Sequence, residues 1–381
     1  MALGKLGFGT MRLPLDSPDQ ADINLEETAK MMDKFLADGF TYVDTSFVYH
    51  NGHSEHAVKK TLTSRHPRDS YTIATKLPTF ILSSEEQVPE LFEKQLENLG
   101  VDYVDYYLMH NLNRILYNGL DGKGGVVKNF HIFDYFKKWK EEGKIRHIGF
   151  SFHDSADVLD QILSEHPETD FVQIVLNYYD TDSPFVQAQK CYDVIHKHGK
   201  QVVIMEPVKG GTLARVPQPA ESDMKELEPA MSDASYAVRF AADHDGVIAV
   251  LSGMSNLEQM DDNTSYMKDF KPLNEAEKEA VAEAKKDLQK EWQLLPDAIE
   301  ELHGFKVNGV DAGDIVESYN SIQIQPNPYF ACELNYLKGQ LAGQGHALKD
   351  PIEPVSIILK DGRDVTKDVL KAYQFLVDHS F

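Results

Sequence analysis

Eight short runs rich in β-branched and aromatic residues alternate with eight longer stretches whose apolar positions fall at spacings of three and four. That alternation predicts an α/β chain folded as a (β/α)8 TIM barrel with an additional C-terminal extension. The length of 381 residues agrees, because a barrel of about 250 residues forms one domain and leaves a remainder. A composition shift near residue 290 divides the chain into a barrel over 1–290 and a cysteine-poor extension over 291–381. A doubly wound open sheet is compatible with the same count of runs, since runs alone do not prove closure.

The strand candidates are Gly7 to Met11, Thr41 to Ser46, Tyr71 to Lys76, Tyr103 to His110, His147 to Phe152, Phe171 to Asn177, Gln201 to Pro207 and Val247 to Gly253. Helix candidates follow each one, at about residues 25–38, 54–64, 85–99, 131–142, 155–165, 185–198, 233–244 and 256–266. Ser54, Ser84 and Ser255 stand where N-caps belong, and Gly39, Gly100, Gly143 and Gly199 stand where helices end. The glycine-rich connection from Asn111 to Asn129 reads as an active-site loop. After Pro272, Glu275 to Lys290 predicts a helix. Pro354 to Leu359, Asp361-Gly362 and Val365 to Phe375 predict a strand, a turn and a helix.

Acidic residues outnumber basic ones by 61 to 38, and the net charge of -23 argues against nucleic acid and anionic lipid as partners. Cys191 and Cys332 are too few for a disulfide framework or a four-thiolate site, which predicts a reducing, cytoplasmic setting. The N-terminal MALGKLGFGTMRLP lacks the apolar run of a signal peptide, and no stretch approaches the length of a membrane span.

In a (β/α)8 barrel the working groups lie at the carboxyl ends of the strands. There the sequence places Asp44 and Tyr49 after the second strand, Lys76 closing the third and His110 closing the fourth. A phenol with an ordinary pKa of about 10 is a poor acid at neutral pH, and a neighbouring ammonium favours its phenolate. Lys76 supplies that ammonium, Asp44 holds it, and His110 bonds the phenol or a substrate oxygen. These four suit protonation of a carbonyl oxygen while hydride arrives at its carbon. Singly, each is more simply a cap, a surface group or a core residue.

The stretches LGFGTMRLP, YVDTSFVYHNGHSE, TIATK, YVDYYLMHN and KIRHIGFSFHD resemble those of the aldo-keto reductases, in order and spacing, from about residue 3 to 270. The resemblance implies an oxidoreductase of the EC 1.1.1 type that transfers hydride between NAD(P)H and a small carbonyl or alcohol. Tyr49 would be its general acid/base, with Asp44, Lys76 and His110. It further implies that Gly9, Thr10, Met11 and Asp44 line the nicotinamide ribose and that Ser151 and Gln173 hold the carboxamide. Met205 stands where the family commonly stacks an aromatic ring. Pro207, Val208, Gly210 and Gly211 would wrap the pyrophosphate. Gly253, Ser255, Gln259 and Asn263 would meet the phosphate and adenosine. Gly253 and Gln259 replace the basic residues common in NADP-preferring members, so NADP and NAD both stay open. The alternative function is a nucleotide-binding regulatory module with little turnover.

His50, His53 and His56 recur every three residues beside Glu55, yet they span a loop and a helix start, so no metal site is expected from them. LMHNLN, EEGKIRHIGFSFHD and LSGMSNLEQM are similar to a bacterial subgroup whose extension usually holds ferredoxin-like cysteine clusters. Here ELHGFKVNG has no cysteine, and no iron-sulfur cluster is expected. The pocket loops leave the substrate open, with Phe47, Tyr117, Tyr178 and Tyr179 as expected walls. Oligomeric state is not specified.

Overall fold

The computed structural model describes residues 4–120, 122–183, 186–324, Leu337, Leu341 and 344–379; Cys332 lies outside the described residues. Two compact units divide the chain. The first holds the described part of 1–182, with 186–208 and 230–274. The second holds Ser183, 209–229 and the described part of 275–381, whereas the sequence draws its boundary at 290.

Eight parallel strands close the first unit into a barrel: β1 (Leu6–Gly9), β2 (Tyr42–Asp44), β3 (Thr72–Leu77), β4 (Val104–Leu112), β5 (Ile145–Phe152), β6 (Phe171–Val175), β7 (Gln201–Met205) and β8 (Val247–Ser252). β8 returns to β1 with Leu6 opposite Val250, which removes the open-sheet alternative. The helices are α1 (Leu25–Ala37), α2 (Ser54–Val58), α3 (Gln87–Leu99), α4 (Arg114–Asn118), α5 (Val126–Asn129), α6 (Ile132–Glu141), α7 (Ala156–Glu165), α8 (Ala188–Lys197), α9 (Ala220–Leu227), α10 (Asp233–Ala242) and α11 (Leu257–Lys268). Of these, α9 belongs to the second unit. The loop after β4 therefore carries two short helices.

Side chains alternate across a strand, so residues two apart share a face. Tyr42, Ala74, Tyr106, Leu108, Phe171, Val203, Ala249 and Leu251 form a buried cluster of their own, the barrel interior. The opposite face carries Val43, Ile73, Tyr107, Ile148, Val172, Val202 and Val250 into the larger core shared with the helices. Glycine makes the interior possible at one crowded point: a Cβ at Gly149 would lie 2.4 Å from the Phe171 ring. Continuing the interior face by one step toward the carboxyl ends reaches Asp44, Lys76, His110, Gln173 and Met205. Parity of position thus selects the groups that reach the barrel mouth.

Several ends differ from the sequence reading. Ser54 does not cap α2; His53 precedes the helix without a side-chain cap, and Ser54 turns its hydroxyl inward. The cap of α3 is at Glu86, and that of α11 is Asn256, whose side chain accepts from Gln259 N–H. β4 runs on to Leu112, with an irregular register after Met109 and a left-handed Asn111 at φ 59°.

In the second unit, α12 (Glu275–Trp292), α13 (Ile299–Leu302), α14 (Ala312–Gln323) and α15 (Thr366–Asp378) accompany α9 and a hairpin of β9 (Lys306–Val307) and β10 (Val310–Asp311). Asn308 and Gly309 turn that hairpin with φ 47° and 78°, the geometry that favours Asn-Gly. Leu302, Val307, Ile315, Val369 and Tyr373 belong to its separate core. The expected strand at Pro354 to Leu359 is reduced to one bridge between Ile358 and Asp364, because Gly362 turns the chain back at once.

Candidate active site

Lys76 is fully buried, and a buried ammonium requires a partner. Its Nζ lies 2.5 Å from Asp44 Oδ1 and donates to Thr45 O at 2.8 Å. The same nitrogen stands 4.8 Å from the centre of the Tyr49 ring. The His110 ring approaches Tyr49 edge-on at 5.8 Å. Three strands and one loop thus bring Asp44, Tyr49, Lys76 and His110 together.

Tyr49 opens a short turn in which His50 and Asn51 are both left-handed, with φ 52° and 53°. Hydrogen bonds hold this costly backbone: the His50 ring bonds Gln20 O through Nδ1, at 3.0 Å, and its Nε2 accepts from Leu13 N–H. Both His50 nitrogens are occupied. Thr10, Ser54 and Thr45 form a buried chain of hydroxyls, at 2.8 and 2.9 Å, that ties the turn after β1 to the loop after β2.

Burial raises the Asp44 carboxyl pKa, opposed by the Lys76 charge. Burial, with the nearby Lys76 and His153, drives His110 well below the usual imidazole value, so the ring is neutral at neutral pH. Its Nδ1 is 3.1 Å from Ser46 Oγ, and Thr79 Oγ1 donates to its carbonyl. Behind Lys76, the buried Glu55 accepts from Thr75, Gln95 and Asn98. Gln95 also donates to Lys76 O at 3.0 Å, so α3 braces the strand that carries the lysine.

A nicotinamide cofactor fits the polar atoms left over. Asp44 Oδ2, Asn111 Oδ1 and Gln173 Oε1 are shielded from solvent without a hydrogen-bond partner. Asp44 Oδ2 is an acceptor suited to a ribose hydroxyl, and Gln173 Oε1 to a carboxamide N–H. Ser151 Oγ already accepts from Asn111 N–H and keeps its own hydrogen to donate. Met205 offers its sulfur to Gln173 Nε2 at 3.4 Å.

The other expected cofactor residues occupy different surroundings. Gly9 ends β1, and Thr10 and Met11 lie in the turn after it. Pro207 and Val208 close a segment of the first unit; Gly210 and Gly211, left-handed at φ 67° and 106°, belong to the second. Gly253 is exposed and Ser255 is half-buried before α11. Gln259 Oε1 accepts from Ser255 N–H at the start of α11, and the buried Asn263 bonds Ser252, Tyr266 and Gln259 O, so both side chains already have partners.

Three residues escaped the sequence reading. Ser46 was hidden because a lone serine carries no signal. Phe80, 46% exposed, presents its ring 5.5 Å from His110. An exposed aromatic beside a mouth is visible only once the fold is known. Arg12 lies against Gly253, where a Cβ would come within 3.1 Å of its Cδ; burial lowers its pKa, and Glu206 opposes that. Conversely, Tyr117, Tyr178 and Tyr179 are buried, Tyr117 donating to Glu165, so they are core rather than open walls.

Comparison with known proteins agrees with this architecture. Residues 5–286 match the Aldo/keto reductase family. An uncharacterized oxidoreductase, YqkF, of Bacillus subtilis is 21% identical over 76% of this chain and 95% of its own length. L-galactose dehydrogenase of Arabidopsis thaliana is 25% identical over 76% and 93%. A crystal structure of an aldo-keto reductase from Klebsiella pneumoniae in complex with NADPH has a TM-score of 0.56 at 19% identity, over 74% and 90% of the two chains. The holo form of an aldo-keto reductase from Bacillus halodurans has a TM-score of 0.53 at 23% identity, over 74% and 95%. Among the described residues no helix is long and apolar enough to cross a membrane. With the match spanning the whole barrel, the chain belongs to the aldo/keto reductase family of oxidoreductases.

Proposed function

We propose that this protein is an NAD(P)H-dependent carbonyl reductase, reversible as an alcohol dehydrogenase, with Tyr49 as its general acid/base. The observation that carries the reading is the placing of one buried ammonium, Lys76 Nζ, both against Asp44 and 4.8 Å from the Tyr49 ring. The Klebsiella aldo-keto reductase of similar fold binds NADPH, which supports the choice of cofactor.

When bound, the nicotinamide supplies the hydride that reaches the carbonyl carbon. Asp44, Ser151 and Gln173 would orient it through the acceptors and the hydroxyl described above. Tyr49 gives its phenolic proton to the carbonyl oxygen as negative charge develops there. The Lys76 charge stabilises the phenolate left behind, and Asp44 keeps Lys76 protonated. In the tautomer in which His110 Nδ1 accepts from Ser46, Nε2–H is left to hydrogen-bond the substrate oxygen. In the reverse direction the phenolate takes the alcohol proton back.

The test is the change in nicotinamide absorbance with a panel of aldehydes, ketones and quinones, for wild type and Tyr49→Phe. Turnover that falls by about 100-fold or more in the variant, with nucleotide still bound, is the expected result. Unchanged turnover would remove Tyr49 from the mechanism. Tight nucleotide binding without turnover across the panel would favour a regulatory role instead.

A further inference from the structure

β4 carries one residue more than its neighbour at the barrel mouth. Met109 pairs with Phe150 and Leu112 with Phe152, so three steps along β4 match two along β5. His110 and Asn111 therefore stand opposite the single residue Ser151, which makes a bulge, an uncommon feature between parallel strands. Met109 and Leu112 both enter the core shared with the helices, as do Phe150 and Phe152. Strict alternation would send Asn111 to the face of Met109. The extra residue breaks that alternation and sets Asn111 beside Ser151, whose Oγ accepts its N–H at 2.8 Å. The backbone at Asn111 is left-handed, φ 59°, a conformation that asparagine adopts more readily than most residues with a side chain.

Three neighbouring strands meet here at one level, since Ser151 on β5 pairs in turn with Gln173 on β6. Ser151 takes the Asn111 N–H and keeps its own O–H to give. Gln173 turns Nε2 to the Met205 sulfur at 3.4 Å, which leaves Oε1 as the unpartnered end of its amide. Asn111 Oδ1 is likewise shielded from solvent without a hydrogen-bond partner. The third such acceptor at the mouth, Asp44 Oδ2, stands two strands from β4, on the carboxylate that holds Lys76. Buried acceptors without donors are costly and rare, so two of them flanking one hydroxyl call for a ligand that supplies the hydrogens.

We propose that Asn111 is a cofactor-positioning residue, its Oδ1 accepting one hydrogen of the nicotinamide carboxamide. A primary carboxamide presents one acceptor oxygen and two N–H donors. The Ser151 O–H answers the oxygen, Gln173 Oε1 answers one hydrogen and Asn111 Oδ1 the other, so no polar group on either side is left over. A substrate carbonyl has no hydrogen to give and leaves Asn111 unsatisfied. Asn111 takes this role only if the mouth binds a nicotinamide, the reading on which the assignment rests. A carboxamide held at its oxygen and at both hydrogens keeps the attached ring from turning over, so one face of the ring meets the substrate.

Full-length protein is titrated calorimetrically with NAD or NADP, whichever binds more tightly, and with the acetylpyridine analogue of the same nucleotide, in which a methyl group replaces the carboxamide nitrogen. Asn111→Gly removes the acceptor, keeps the N–H that Ser151 receives and adopts the left-handed backbone without strain. Its affinity for the natural nucleotide should fall about two- to tenfold, the worth of one hydrogen bond, while its affinity for the analogue matches that of the wild type. Equal losses for both nucleotides would mean a general loosening of the mouth and overturn the assignment. No loss for either would overturn it too, as would a raised substrate KM at constant nucleotide affinity, which would place Asn111 against the substrate. A wild type that binds neither nucleotide defeats the nicotinamide reading and Asn111 with it, whereas wild-type binding with an unaltered variant defeats the role of Asn111 alone.

Discussion

Lys76 Nζ lies 4.8 Å from the centre of the Tyr49 ring, and nothing in the barrel exposes it to water. An ammonium so placed persists only while Asp44 balances it. Removing one member leaves the other as an uncompensated buried charge, at a cost of about 3–5 kcal/mol. Lys76→Met and Asp44→Asn are each expected to lower the urea midpoint of the barrel strongly. The double variant is expected to lose less than the two losses combined. Strict additivity would show that the pair is not coupled.

Ser46 Oγ and His110 Nδ1 share a buried hydrogen bond at 3.1 Å that holds the ring beside Tyr49. Ser46→Ala removes one hydrogen bond, about 0.5–1.5 kcal/mol, which is a fall in kcat of about two- to tenfold. Nucleotide affinity should stay constant. A change in nucleotide Kd with kcat intact would place Ser46 in cofactor binding instead.

Stability should fall on mild acidification. Burial pushes His153 down to about 4 and His110 well below its ordinary value, while both titrate near 6.5 when unfolded. Below pH 6.5 the unfolded chain takes up protons that the folded chain refuses. The contribution of these histidines is therefore complete above about pH 6.5 and is lost as pH falls toward 4, by up to roughly 3 kcal/mol for His153. Asp44 and Glu55, raised by burial, act in the opposite sense. Urea midpoints across this window, compared with those of His153→Gln, isolate the histidine: the variant should show the shallower slope.

Gly149→Ala tests the barrel interior. The added methyl meets the Phe171 ring at 2.4 Å, and overpacking of that kind costs about 1–3 kcal/mol. A melting temperature equal to that of the wild type would mean that the ring moves freely.

Phe80→Ala tests the mouth. Loss of an exposed ring beside His110 should raise KM for aromatic and long-chain carbonyls and leave small aldehydes unaffected. Equal changes for all substrates would exclude Phe80 as a pocket wall.

The strands were legible as short β-branched and aromatic runs because both of their faces are buried, as Tyr42 and Val43 or Ala74 and Ile73 show. The rule that working groups lie at the carboxyl ends of barrel strands placed Asp44, Lys76 and His110 at one end from the sequence alone. What failed depended on contacts distant in sequence. Ser54 looks like a helix cap, but Thr10 and Thr45 offer its hydroxyl buried partners. Tyr117 looks like a pocket wall by its place in a long loop, but Glu165 and Lys128 hold it inside. The extension was least legible, because short elements such as Val310–Asp311 carry too few residues for any period to show.

The left-handed pair His50 and Asn51 gives the barrel a division between staves and latch. Asp44, Lys76 and His110 ride on strands whose spacing is set by the ladder. Tyr49 rides on a turn whose shape is set by His50, held between Gln20 and Leu13, far from the ladder. The acid can therefore be retuned without touching the frame that carries its partners. A designer wishing to move the proton donor relative to the hydride should work on the segment from Leu13 to Gln20, which lies outside the strands, and leave the strands alone.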